Sequence, residues 1–208
     1  MPPIHEPPSR NHLFWLRTAP HPSTPTASKY ANCYLRHHGG GVDAVMVMPK
    51  PPIYLRSHMD EDGRVVFMSW KHPGRSWCLN LALGGLGTEG ARTKMKWHEA
   101  EIVEATEDDR DGTTLASGKG FVFNEAMVSG ELVTVLNAGE IELEGGGPQF
   151  GGWMVCEWKW GHPQLFWLRK SKDEGLDDVE LPPFCERVVL VKEALPEGVQ
   201  DQAPENRV

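Results

Sequence analysis

Apolar and polar residues alternate along most of this chain in short runs broken by glycine, proline and acidic turns, a period of two that predicts strands. The run Trp77 to Leu83 (WCLNLAL) is the clearest, with Trp77, Leu79, Leu81 and Leu83 on one face, which is assigned to the core. Gly151 to Arg169 (GGWMVCEWKWGHPQLFWLR) holds two apolar runs around a Gly161-His162-Pro163 turn and predicts the central hairpin. In its first run Met154, Cys156 and Trp158 share one face, and Trp153, Val155, Glu157 and Lys159 the other.

Further strands are predicted at Leu13 to Arg17, Phe121 to Phe123, Leu132 to Leu136, Ile141 to Leu143 and Arg187 to Lys192. Hairpins are predicted for Tyr34-Leu35 with Val42 to Met48 across a glycine turn, and for Ile53 to Ser57 with Val65 to Trp70 across Asp60-Glu61-Asp62-Gly63. Ala91 to Ala105 reads two ways. Its composition and the spacing of Met95, His98, Ile102 and Ala105 suit a helix, while Trp97, Val103 and the surrounding strands suit another strand.

Roughly a dozen short strands with frequent turn signals predict an all-β single domain over 11–195. A β-trefoil-like closed barrel is the first expectation and a β-sandwich the second. Residues 1–10 form a Pro-rich disordered lead and 196–208 a disordered polar tail. The pentapeptide LFWLR occurs at 13–17 and again at 165–169, which suggests equivalent places in a pseudo-symmetric fold unless two buried strands merely share residues.

Composition supports this outline: 22 glycines and 17 prolines suit many turns, and eight tryptophans with seven phenylalanines compensate for a modest apolar content of 39%. A net charge of -8 without any basic run argues against nucleic acid, and no apolar stretch is long enough for a membrane helix. The first residues lack the apolar segment of a signal peptide, so the expectation is a chain not exported by that route or a mature form. Cys33, Cys78, Cys156 and Cys185 contain no CxxC pair, which disfavours zinc and leaves three disulfide connectivities open.

Several motifs imitate chemical sites and fail on the residue that matters. Gly85 to Gly90 matches GxGxxG without a βαβ context, and Glu107 to Gly112 resembles a calcium loop whose twelfth position is Gly118. His38-Gly39-Gly40-Gly41 resembles an oxyanion element, but no GxSxG elbow accompanies it. Cys156 between apolar neighbours suits a structural cysteine better than a thiolate paired with His162. No cofactor or resident metal is expected. A metal cluster assembled across loops would draw on His37 or His38 with Asp43, His58, His72, His98 or His162.

The segment GGWMVCEWKWGHPQLFW followed by LPPFCERVVLV resembles the C-terminal half of an uncharacterised fungal domain-of-unknown-function family of mostly small secreted β proteins with a GWLxCxW...PQLFW...C motif. Tyr34-Leu35, His38, glycines 39 to 41 and Asp43-Ala44-Val45 resemble an earlier segment of the same family. The resemblance implies a single β domain, a Cys156–Cys185 bridge and secreted relatives; Cys33 and Cys78 are additional. It implies no activity.

The functional expectation is a non-enzymatic binding or surface-associated domain, with carbohydrate of the cell wall as the candidate ligand. Trp158, Trp160 and His162 are the candidate contacts, because exposed rings stack on sugar C–H faces while polar neighbours hydrogen-bond. The competing expectation is a hydrolase or metal-dependent enzyme using His37, His38 and Asp43 at the glycine turn. A third is a purely structural or host-interaction protein.

Overall fold

The computed structural model describes residues 12–24, 28–39, 42–69, 71–72, 75–81, 97–104, 120–138, 149–157, 161–170, 180–196 and 199. They form β1 (Phe14–Pro20), β2 (Tyr34–Gly39), β3 (Val42–Met48), β4 (Leu55–Met59), β5 (Val65–Ser69), β6 (Ser76–Leu81), β7 (Trp97–Glu104), β8 (Phe121–Val128), β9 (Glu131–Ala138), β10 (Gln149–Glu157), β11 (Pro163–Lys170) and β12 (Cys185–Ala194). The all-β, closed-barrel expectation holds: eight strands close into an antiparallel ring, in the order β1, β4, β5, β6, β7, β11, β10, β12 and back to β1. Closure is made by the first and last strands, paired from Phe14↔Ala194 to Pro20↔Val188.

The strand reading of the ambiguous stretch prevails for Trp97–Glu104, and the predicted strand at 141–143 lies outside the described residues. Along β7, His98, Ala100 and Ile102 are buried and the residues between them are not. The helix-like composition is overridden because β6 and β11 supply hydrogen-bonding partners on both sides.

All twelve strands send side chains into one main core, including Phe14, Leu16, Phe67, Leu79, Leu81, Ile102, Trp153, Val155 and Trp167. Alternation in β10 is as the sequence predicts. Trp153 and Val155 face this interior, and Met154 and Cys156 face a smaller outer cluster with Phe166, Leu168 and Cys185, against which Leu181 packs.

The two LFWLR copies do not occupy equivalent places. In β1 and the residue before it, Phe14 and Leu16 point into the barrel while Leu13 and Trp15 join an outer cluster. In β11 the phase is reversed: Leu165 and Trp167 point inward, Phe166 and Leu168 outward. A one-residue offset moves every side chain to the opposite face of a strand, so identical residues serve opposite faces. Trp15 is held outside by an indole N–H donated to the Leu55 carbonyl at 2.9 Å and by edge contact with Tyr34.

Two hairpins cross the ends of the barrel. β2–β3 pairs with β1 through Tyr34↔Arg17, with β7 through Ala44↔Glu101 and with β11 through Met46↔Gln164. β1 is not a neighbour of β7 or β11 in the ring, so this hairpin spans the lower end, where β10 turns into β11, and contributes Leu35, Val45 and Val47 to the core. β8–β9 pairs with β12 through Leu136↔Leu190 and reaches the β4–β5 turn at the upper end, where Phe121 N–H donates to the Gly63 carbonyl at 3.0 Å. Gly63 has φ +71°, and a Cβ there would lie 3.1 Å from the Phe121 carbonyl oxygen, so glycine is required by both conformation and space. Phe121 stacks on Trp153 and Phe123 meets Phe14 edge-on beneath this crossing.

Candidate functional site

The lower end carries the residues that the sequence singles out. His162 is exposed in the β10–β11 turn and His37 lies on β2; Trp158, Trp160 and the side chains of His38 and Asp43 lie outside the described residues. Trp77, at the start of β6, gathers the neighbouring polar groups. The His37 ring lies 6.3 Å from it at 30°, the His72 ring 6.2 Å away edge-on, and the Arg75 guanidinium sits over it at 5.6 Å. Glu104, which is cross-strand from Trp77, accepts from Arg75 Nε at 2.6 Å. Tyr54 on the same rim has Lys71 Nζ at 4.4 Å and the Arg36 guanidinium at 5.7 Å from its ring. The arrangement follows from local pattern: Trp77 begins the inward row of β6, and at a strand's first residues an inward ring meets both core and solvent.

The histidines proposed for a metal cluster are dispersed. His98 is in the upper interior, His58 is on β4, His37 and His72 flank Trp77, and His162 is in the turn. Among the described residues no three His, Cys, Asp or Glu side chains could hold a metal ion. The GxGxxG stretch 85–90 and the acidic loop 107–118 lie outside the described residues.

Burial pulls the His58 imidazole below its ordinary value of 6.5, with Asp60 acting in the opposite direction. His58 is therefore neutral in the fold while the unfolded chain protonates first as pH falls. Its stability contribution is complete above about pH 6.5 and declines as pH drops toward the lower folded value. Denaturant titrations at pH 7.5, 6.5 and 5.5 should show the loss, and His58→Gln should flatten the profile over this window.

A disulfide joins Cys156 of β10 to Cys185 of β12 at directly paired positions, closing a segment of sequence separation 29. Cys33 and Cys78 are buried elsewhere. Cys33 N–H donates to Thr18 Oγ1 at 3.0 Å, and burial pushes its thiol pKa up, as suits an inert position.

The upper end holds a group that the sequence reading missed. Arg169, on the inward row of β11 after Leu165 and Trp167, directs its Nη1 to His98 Nε2 at 3.3 Å. His98 is 1% exposed and lies 5.1 Å from the Trp167 ring at 31°. Phe150, cross-strand from Arg169, stacks with Trp167 at 6.4 Å and meets Trp153 edge-on at 5.0 Å. Burial lowers the Arg169 pKa; no carboxylate among the described residues pairs with it, and its Nε is buried without a hydrogen-bond partner there. A parity count along β11 would have placed Arg169 on the inward row. Its link to His98, 71 residues away in sequence, has no local signature.

Among known proteins, a family model described as "Domain of unknown function (DUF7907)" matches residues 11–194. No curated protein and no solved structure matches the chain.

Proposed function

The chain thus belongs to a family whose function is unknown, and from its own geometry we propose that it is a non-enzymatic binding or surface-associated domain whose contact face is the lower end of the barrel and whose ligand is carbohydrate. The observation that carries this reading is the cluster at Trp77. A large, half-buried ring on the rim is ringed by His37, His72 and Arg75, with Tyr54 and Lys71 beside it. Rings supply the apolar surface on which a pyranose stacks, and imidazole and guanidinium N–H groups supply donors for its hydroxyls. The exposed residue His162, just before β11, belongs to the same end and extends the described part of the face.

Around Trp77 and Tyr54 the described charges are the cations Arg36, Lys71 and Arg75 against the acid Glu104, so this part of the face is basic although the whole chain carries -8. That local sign favours acidic polysaccharides over neutral ones. A glycan array spanning neutral and uronate-containing cell-wall polysaccharides, followed by titration calorimetry, tests the reading. His72→Ala, at an exposed position beside Trp77, and Trp160→Ala, at the candidate contact named from the sequence, are expected to weaken binding roughly tenfold, corresponding to about 1.4 kcal/mol. Absence of any glycan ligand, or binding unchanged in both variants, would remove it.

A further inference from the structure

We propose that the Arg75–Glu104 ion pair is a carboxylate seat filled from within: Glu104 occupies the position beside Trp77 that a uronate carboxylate of the ligand takes. By competing for Arg75, Glu104 sets how tightly the lower end holds acidic sugar; this rests on the reading of that end as a face for acidic polysaccharide. The geometry of the pair carries it. Arg75 lies two residues before Trp77, and Glu104 is the direct cross-strand partner of Trp77, so the three side chains meet on one side of the sheet at the rim. The guanidinium engages Glu104 through two bonds, Nε to Oε1 at 2.6 Å and Nη2 to Oε2, while it stands 5.6 Å from the centre of the Trp77 ring. A guanidinium fork turned to a carboxylate beside an aromatic ring is what a sugar acid needs, because its carboxylate projects from the edge of the ring that stacks.

The pair is open to exchange. The Arg75 and Glu104 side chains are 53% and 43% exposed, so water and salt screen the bond between them, and an incoming carboxylate reaches the same donors with no change in the strands. Hydrogen bonding from Arg75 holds the Glu104 carboxyl below its ordinary value of 4.5, so it is ionised, and a competitor, throughout the neutral range. The neighbouring cations are held differently. Lys71 Nζ stands at the Tyr54 ring, and Arg36 Nη2 donates to the Lys50 and Pro51 carbonyls at 3.1 and 3.4 Å. Those two supply charge that attracts an acidic chain, whereas Arg75 supplies the fork that orients one carboxylate.

The probes are oligogalacturonate and its fully methyl-esterified form, a neutral chain with the same backbone, titrated into the full chain by calorimetry. The unsubstituted protein should prefer the acid form. Glu104→Gln removes the competitor and should tighten the acid form roughly threefold or more, with a smaller change for the ester. Loss of an acid makes any nearby surface more basic, so the same substitution is repeated in an Arg75→Lys background, which keeps the charge and drops the fork. There the gain should shrink to less than half, and this coupling between the two positions separates a seat from a general charge effect. An equal gain in both backgrounds, or no gain in either, overturns the seat, as does equal affinity of the unsubstituted protein for acid and ester. Failure of oligogalacturonate to bind also overturns the seat; failure of every glycan removes the reading of the face as well.

Discussion

Trp153→Ala is expected to destabilise the domain by about 3 to 5 kcal/mol, the range for removing a large ring from a packed core. Trp153 is 2% exposed, stacks on Phe121 at 6.1 Å, meets Phe150 edge-on and donates its indole N–H to the Leu136 carbonyl at 2.8 Å. Two of those partners, Phe121 and Leu136, belong to β8 and β9, so the loss should be greatest where that hairpin crosses the upper end. Equilibrium denaturation in urea gives the magnitude, and hydrogen exchange should show residues 120–138 losing protection first. Trp153→Phe, which keeps a ring and drops the donor, should lose less, about 1 to 2 kcal/mol for the smaller side chain and the unsatisfied carbonyl. Equal losses in the two variants would mean that the hydrogen bond, not the ring packing, holds the hairpin.

Breaking the Cys156–Cys185 bridge is expected to cost about 3 to 4 kcal/mol on the chain-entropy account of a loop of this size. The two cysteines are cross-strand partners, flanked by Val155↔Glu186 and Met154↔Arg187, and Cys156 and Cys185 sit with Met154, Phe166 and Leu168 in the outer cluster. The cross-strand pairing and the outer cluster should survive reduction, so the effect should fall on the unfolded chain. Far-ultraviolet spectra of oxidised and reduced protein should coincide in buffer, while the urea midpoint shifts downward. A double Cys156→Ala, Cys185→Ala variant should shift it further, because two buried sulfurs are also removed. A midpoint insensitive to reductant would show that residual structure in the unfolded ensemble already restricts this segment.

Much of this architecture was legible in the residues because the strand code is local. The inward and outward rows of β10, the β4–β5 hairpin over an Asp-Gly turn, and the inward face of β6 follow from alternation and turn chemistry alone. The bridge was legible through resemblance, not spacing, since four separated cysteines allow three pairings. Ring closure was expected only as a class. The pairing of β1 with β12, and the crossing hairpins, depend on long-range partners that no window of sequence contains. The LFWLR repeat misled for the same reason: a pentapeptide fixes which residues alternate but not which of its two faces meets the interior. At the lower end, His37 was identified but Trp77 was read as core only, because position on a strand does not reveal that it lies at the rim. No local pattern singles out Arg169, and only the fold brings His98 to it.

Fastening the barrel through its two outermost strands has a consequence for biogenesis. Until Cys185–Ala194 emerges from the ribosome, β1 lacks the partner it pairs with along its whole length, and the nascent sheet is left with two open margins. Folding should therefore wait for β12 and be slow, as non-local pairing demands, with the newborn chain dependent on holding factors until that strand is available.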